Sequence, residues 1–193
     1  MTASNRDSLE GKGEGLDLPL PRPQADRLWL ARLKNEGLTP LGSEPPVPAA
    51  GFWQAVEEFN AGDYWRAHET LERIWLDTAY PERLFYYALI KLAVGLLHLE
   101  RHNAVGARLQ LVVAAEFLEP FTPAFLGVGT DALSGVALDR LRRLGPATST
   151  SWRAEDETGS LPSAATWVEG SPSWEEMARL PVPRIELVAP SEA

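Results

Sequence analysis

Apolar positions recur at helical spacing through the middle of the chain and lose that rhythm at both ends. From about Gln24 to Glu36, the residues Leu28, Trp29, Leu30 and Leu33 gather on one side of a helix, and Gly37 supplies a left-handed stop. Pro40 to Pro48 then reads as an extended connector. Between Gly51 and Gly145 the apolar period and the cap residues predict five helices in succession. The first, Phe52 to Ala61, is expected to bury Phe52, Trp53, Val56 and Phe59 and to end at Gly62. Asp63 is placed to cap the second, Tyr64 to Asp77. Pro81 and Glu82 suit the first turn of the third, which runs to about Arg101. That helix is apolar nearly all round, so its neighbours should cover it on several sides. Asn103 caps a fourth, which ends before Pro120 and is expected to bury Val105, Leu109, Val112, Val113 and Phe117. Thr130 opens a fifth, with Arg140, Arg142 and Arg143 complementing the dipole of its last turn and Gly145-Pro146 stopping it. No strand pattern competes in this region. The expectation is an all-α fold: a small bundle of about five helices around a central apolar one, with an N-terminal helical extension and an irregular C-terminal tail.

Proline placement divides the chain the same way. Seven prolines lie in residues 1–50, five in 147–193 and only four between, where helices should start or stop. The organisation read from this is an N-terminal part (1–50), a helical domain (51–146) and a C-terminal segment (147–193). The first fifteen residues mix Gly, Ser, Lys and Glu without period and are expected to be disordered. The last part is acidic and turn-rich, yet carries Trp152, Trp167 and Trp174 and the string Ile185, Leu187, Val188. Solvated tails rarely hold three tryptophans, so this segment is expected to wrap over its own helical domain or a partner subunit; a mobile tail with incidental aromatics is the alternative.

Charge narrows the partners. With 27 acidic against 18 basic residues and a formal net charge of −9, the chain lacks the cations that tracking nucleic-acid phosphates requires. The longest apolar stretch, Leu84 to Leu99, carries Lys91 and falls short of the roughly 20 residues of a membrane span. There is no cysteine, which excludes disulfide frameworks and thiolate metal sites and fits a reducing compartment. The polar start Thr-Ala-Ser-Asn-Arg-Asp-Ser has no apolar region of a signal peptide, so the expected location is the cytoplasm.

The candidate chemistry sits on the second helix. At about 100° per residue, Tyr64, Ala67, Leu71, Ile74 and Trp75 form one apolar arc, and His68 falls inside it. Glu72, one turn on, lies at the edge of the arc beside Trp65, while Arg66, Glu69, Thr70, Arg73 and Asp77 point elsewhere. An imidazole and a carboxylate aimed at an apolar interior each cost free energy unless partnered. Lys91 and His98, seven residues apart on one face of the next helix, are the candidates to close a network with His68 and Glu72.

The run from Phe59 through Asn60-Ala61-Gly62-Asp63-Tyr64-Trp65-Arg66-Ala67-His68-Glu69-Thr70-Leu71-Glu72-Arg73-Ile74 to Trp75 resembles the bacterial and archaeal domain of unknown function numbered three hundred and nine. Its hallmark is His-x-x-x-Glu-x-x-Trp/Tyr. Ala88 to Ala93, His98, and Asn103 through Gly106-Ala107 are similar to later segments of that family, and the resemblance covers about Phe52 to Leu144. It implies a compact helical domain whose motif has been suggested to bind metal, without an established reaction. The motif positions are then His68, Glu72 and Trp75, with His98 matching a histidine on the next helix. Ala88 stands where glycine is frequent and Lys91 where glutamine is frequent; a cation at Lys91 would repel a metal ion.

Two functions follow as expectations. In the first, the chain is a binding or scaffold module in which His68 and Glu72 form a structural network, closed by a tryptophan N–H, Lys91 or buried water, and aromatic surfaces serve self-association or a small ligand. In the second, it is a metal-dependent, hydrolytic enzyme in which His68, Glu72 and His98 hold a divalent ion such as zinc and Glu69 is the candidate base. The zinc-protease signature is not matched, because Glu72 stands where its second histidine belongs and Glu69 projects about 100° from His68. His102 belongs at a helix end, facing solvent or the last carbonyls. Gly127-Val128-Gly129 lacks the lysine and preceding strand of a phosphate loop, and no Gly-x-Ser-x-Gly elbow occurs. The cluster Phe85, Tyr86, Tyr87 reads as core.

Overall fold

Cap chemistry sets the helix boundaries. The computed structural model describes residues 22–37, 46–145 and 173–188, and these form seven α-helices. They are α1 (Arg22–Glu36), α2 (Phe52–Asn60), α3 (Tyr64–Asp77), α4 (Glu82–Glu100), α5 (Ala104–Leu118), α6 (Thr130–Arg143) and α7 (Trp174–Ala178). Gly37 and Gly62 take the left-handed conformation that ends α1 and α2. The Asp63 side chain accepts from the N–H of Arg66 to open α3, and Asn103 accepts from Gly106 to open α5. Ser173 and Glu176 form a reciprocal capping box on α7. The initial disorder expectation, most of the Pro40 to Pro48 connector, Trp152 and Trp167 lie outside the described residues.

The central element is α4, where Leu84, Phe85, Leu89, Leu92 and Leu96 are buried between α3 and α5. It packs tightly on α5 at Gly95, where an added Cβ would stand 2.7 Å from Leu111 Cδ2. The expected face of α5 is corrected here: Leu109 and Val112 are exposed and Val105 and Val113 only half-buried, although Phe117 is buried. The inward seam is instead Ala104, Ala107, Leu111, Ala114 and Leu118, spaced by alternate threes and fours. Two apolar stripes compete on this helix, and the one with small side chains wins because it lets the backbones come together.

Three further expectations are corrected. Trp53 is exposed, since neighbouring residues diverge by about 100° and Phe52 takes the fully buried position. Leu28 is exposed because the inward stripe of α1 is Asp26, Leu30 and Leu33. A small antiparallel pair, β1 (Ala124–Phe125) and β2 (Val128–Gly129), occupies the turn before α6 where no strand was expected.

That turn receives the end of the chain. Leu187 bridges to Val128, the N–H of Gly129 donates to Glu186 O and that of Val188 to Gly127 O. Ile185 is buried, and both its backbone groups pair with the Asn60 side-chain amide, at 2.6 and 3.1 Å. Arg140, expected only to complement the α6 dipole, is itself buried and donates to Pro181 O at 3.0 Å. Residues 173–188 thus pack on the helices.

Candidate functional site

The motif pair on α3 is closed within its own helix. His68 Nδ1 lies 2.8 Å from Trp65 O, and a carbonyl only accepts, so Nδ1 carries the proton and Nε2 faces Glu72 Oε2 at 3.7 Å. The His68 side chain is 14% exposed but that of Glu72 is 51% exposed, so the carboxylate expected at the edge of an interior reaches water. Thr70, expected to point away, is buried and accepts from Arg73. Trp65 is exposed, its ring against His68 on one side and the Arg101 guanidinium 5.6 Å from its centroid. Glu69, the candidate base, is exposed on the outer side of α3. Trp75 is half-buried under the guanidinium of Arg83, 4.2 Å away.

The proposed partners on α4 separate. Lys91 Nζ sits 4.9 Å from the Tyr87 ring; burial pushes its pKa down while the carboxylates of Glu72 and Asp26 pull it up. His98 instead joins the cap of α5. Asn103 Oδ1 takes the N–H of Gly106, which leaves its Nδ2 to donate to His98 Nδ1 at 3.2 Å. That bond needs a bare Nδ1, so the ring is neutral, and burial and Arg101 both push its pKa down. A Cβ at position 106 would fall 2.7 Å from His98 Nδ1, which accounts for glycine there. Among the described residues no three His, Cys, Asp or Glu side chains are gathered closely enough to hold a metal ion. The expected trio of His68, Glu72 and His98 therefore does not form a ligand set, and its donors do not fit zinc.

Two polar clusters went unread in the sequence. One joins α1 to the start of α4: Tyr80 Oη donates to Asp26 Oδ1 at 2.6 Å, Arg83 Nε lies 4.0 Å from the same oxygen, and Trp29 stacks on Tyr80. Arg83 also donates to the carbonyls of Leu76 and Thr78. Asp26 carried a signal, since it falls in the stripe of Leu30 and Leu33 as His68 falls in its own arc.

The second cluster lines a cavity of about 310 Å³ at the seam between α3, α4, α6 and residues 174–183. Leu96, Leu99, Met177 and Leu180 supply apolar wall, and Tyr64, Glu100 and Arg140 bring polar groups to it. His102 is exposed past the end of α4, as expected, and stacks on Trp174 at this rim, with ring centroids 4.9 Å apart. Tyr64 is 4% exposed, and among the described residues its hydroxyl has no hydrogen-bond partner. Burial first, then Glu100, push its pKa up to about 12 against the pull of Arg140. Burial also raises the carboxyl of Glu100.

The fold and site define an all-α bundle with a self-closed His-x-x-x-Glu pair on one helix. Residues 52–109, from α2 into α5, match the model of a family described as Domain of unknown function (DUF309). No curated protein and no solved structure matches the chain. Among the described residues no helix is long and apolar enough to cross a membrane.

Proposed function

We propose that the chain is a helical binding module whose ligand site is the seam cavity, with His68 and Glu72 serving its scaffold. The observation that carries this is the Tyr64 hydroxyl: on a residue only 4% exposed, it opens onto the cavity and has no hydrogen-bond partner among the described residues. A hydroxyl that opens onto a cavity beside apolar walls, with no partner in the chain, is complementary to a ligand that brings its own polar atom. His68 supports the scaffold assignment, because one ring nitrogen is spent on Trp65 O and the other faces a carboxylate of its own helix. The arrangement offers the metal-dependent hydrolase reading no ligand set among the described residues.

Met177 lines the cavity and the chain has only one other methionine, so labelled methionine methyls give a direct report. Titration with 1-hexanol is expected to shift the Met177 signal saturably in the wild type and equally in His68→Gln, with EDTA leaving the melting temperature unchanged. A Met177 signal indifferent to every probe, or binding lost on chelation, overturns the proposal.

A further inference from the structure

The charges left over on the cavity walls indicate what the site takes. Arg140 is already matched: its Nη1 meets Asp139 Oδ2 at 2.8 Å and its Nη2 the carbonyl of Pro181 at 3.0 Å. Glu100, the last residue of α4, lines the same cavity from an exposed position, and among the described residues no cation lies within ion-pair distance of its carboxylate. Its neighbour Arg101 lies over Trp65 and is not on the cavity wall. The Tyr64 phenol feels both Glu100 and Arg140, so its hydroxyl sits within the field of that carboxylate. Of the charges acting on Glu100, Arg101 favours its ionised form and Asp63, the weaker influence, opposes it. The remaining wall, Leu96, Leu99, Met177 and Leu180, offers an apolar chain the contacts it would lack in water.

We infer that the seam cavity takes a primary amine on a short apolar chain, its ammonium held by the Glu100 carboxylate and the Tyr64 hydroxyl and its chain against Leu96, Leu99 and Met177. This rests on the cavity being the ligand site. An ammonium has three donors and no acceptor, which suits a carboxylate and a phenol oxygen that both have lone pairs to spare. A neutral alcohol would satisfy the phenol and leave the carboxylate unmatched; an anion would face Glu100 at close range. The cavity volume is on the order of ten waters' share of liquid, room for a chain of about six carbons. The net charge of −9 also draws cations toward the surface.

The test compares three probes of one chain length on the full chain: hexylammonium, 1-hexanol and hexanoate, read at the Met177 methyl. Hexylammonium is expected to bind about tenfold more tightly than hexanol, the gain of one charge-assisted contact, and hexanoate more weakly than either. In Glu100→Gln, which keeps the shape and removes the charge, the preference for the amine is expected to fall below about threefold while hexanol binding persists. Tyr64→Phe is expected to weaken the amine more than the alcohol. Equal binding of amine and alcohol, tighter binding of hexanoate, or a preference that survives Glu100→Gln overturns the amine assignment and leaves the cavity as the binding site. Failure of all three probes removes both.

Discussion

Two polar clusters flank the central helix, one buried at Arg83 in its first turn and one at Glu100, its exposed last residue; at 1.5 Å per residue they stand about 25 Å apart. They differ in closure. At the first end, Asp26 is 2% and Arg83 9% exposed, and each finds the other together with Tyr80, two carbonyls and an indole face. At the second, the Tyr64 hydroxyl and the Glu100 carboxylate line a cavity and have no hydrogen-bond partner among the described residues. Tyr64 at the second end is as buried as Asp26 and Arg83 at the first, while Glu100 is exposed, so burial alone does not distinguish scaffold from site. The distinction is whether the chain itself completes the hydrogen bonding, because an incomplete set costs free energy that a ligand can recover.

Breaking the closed end should have the largest effect. Asp26→Ala leaves the Arg83 guanidinium buried without its carboxylate and Tyr80 Oη without its acceptor, and is expected to cost about 3 kcal/mol of unfolding free energy. Urea denaturation measures it. Hexanol binding at the far end should be unchanged once the variant is folded. A loss below about 1 kcal/mol would mean the first cluster is no more closed than the second.

Loosening the open end should act locally. The Asn60 amide holds both backbone groups of Ile185, so Asn60→Ala is expected to cost about 2 kcal/mol in attachment of the C-terminal segment, at roughly 1 kcal/mol per hydrogen bond. Hydrogen exchange at the Ile185 N–H is the readout, with faster exchange there and little change in α4. The same variant should weaken hexanol binding, because residues 174–183 are one wall of the cavity. Unchanged exchange at Ile185 would show that the segment is held by other contacts.

The contrast also explains what the sequence could disclose. The bounds of α3 and the cap residues Asp63 and Asn103 were legible because they depend on neighbours three residues away. The all-α class followed from period alone. The face of α5 was not legible, since Val105, Leu109 and Val112 repeat as regularly as Ala104, Ala107 and Leu111, and only the distance to α4 decides between them. His68 was placed facing inward and is largely covered, but the length of the Glu72 side chain carries its carboxylate into water. The cavity was invisible for a different reason: Tyr64, Glu100, Arg140 and Met177 have no mutual spacing to read and meet only when the end of the chain returns. Asn60, inside the family-matched run, is the residue that receives it.

The smallest expected effect concerns a group that belongs to neither end's cluster but sits two residues before Glu100. His98 is held neutral by the Asn103 amide, by burial and by Arg101, so its folded pKa lies below the ordinary 6.5. Between the two values the unfolded chain binds more protons than the folded one. The contribution is therefore complete above about pH 6.5 and is lost as pH falls through the lowered folded value. His98→Gln keeps an amide able to meet Asn103 and removes the titration. Melting temperatures followed from about pH 7.5 down to pH 5 should fall more steeply in the wild type than in this variant, and Glu100, whose raised carboxyl favours folding at low pH, should act equally in both. Parallel curves would mean the imidazole takes up its proton without disturbing the cap, and the α5 N-terminus would then have to be held by Asn103 alone.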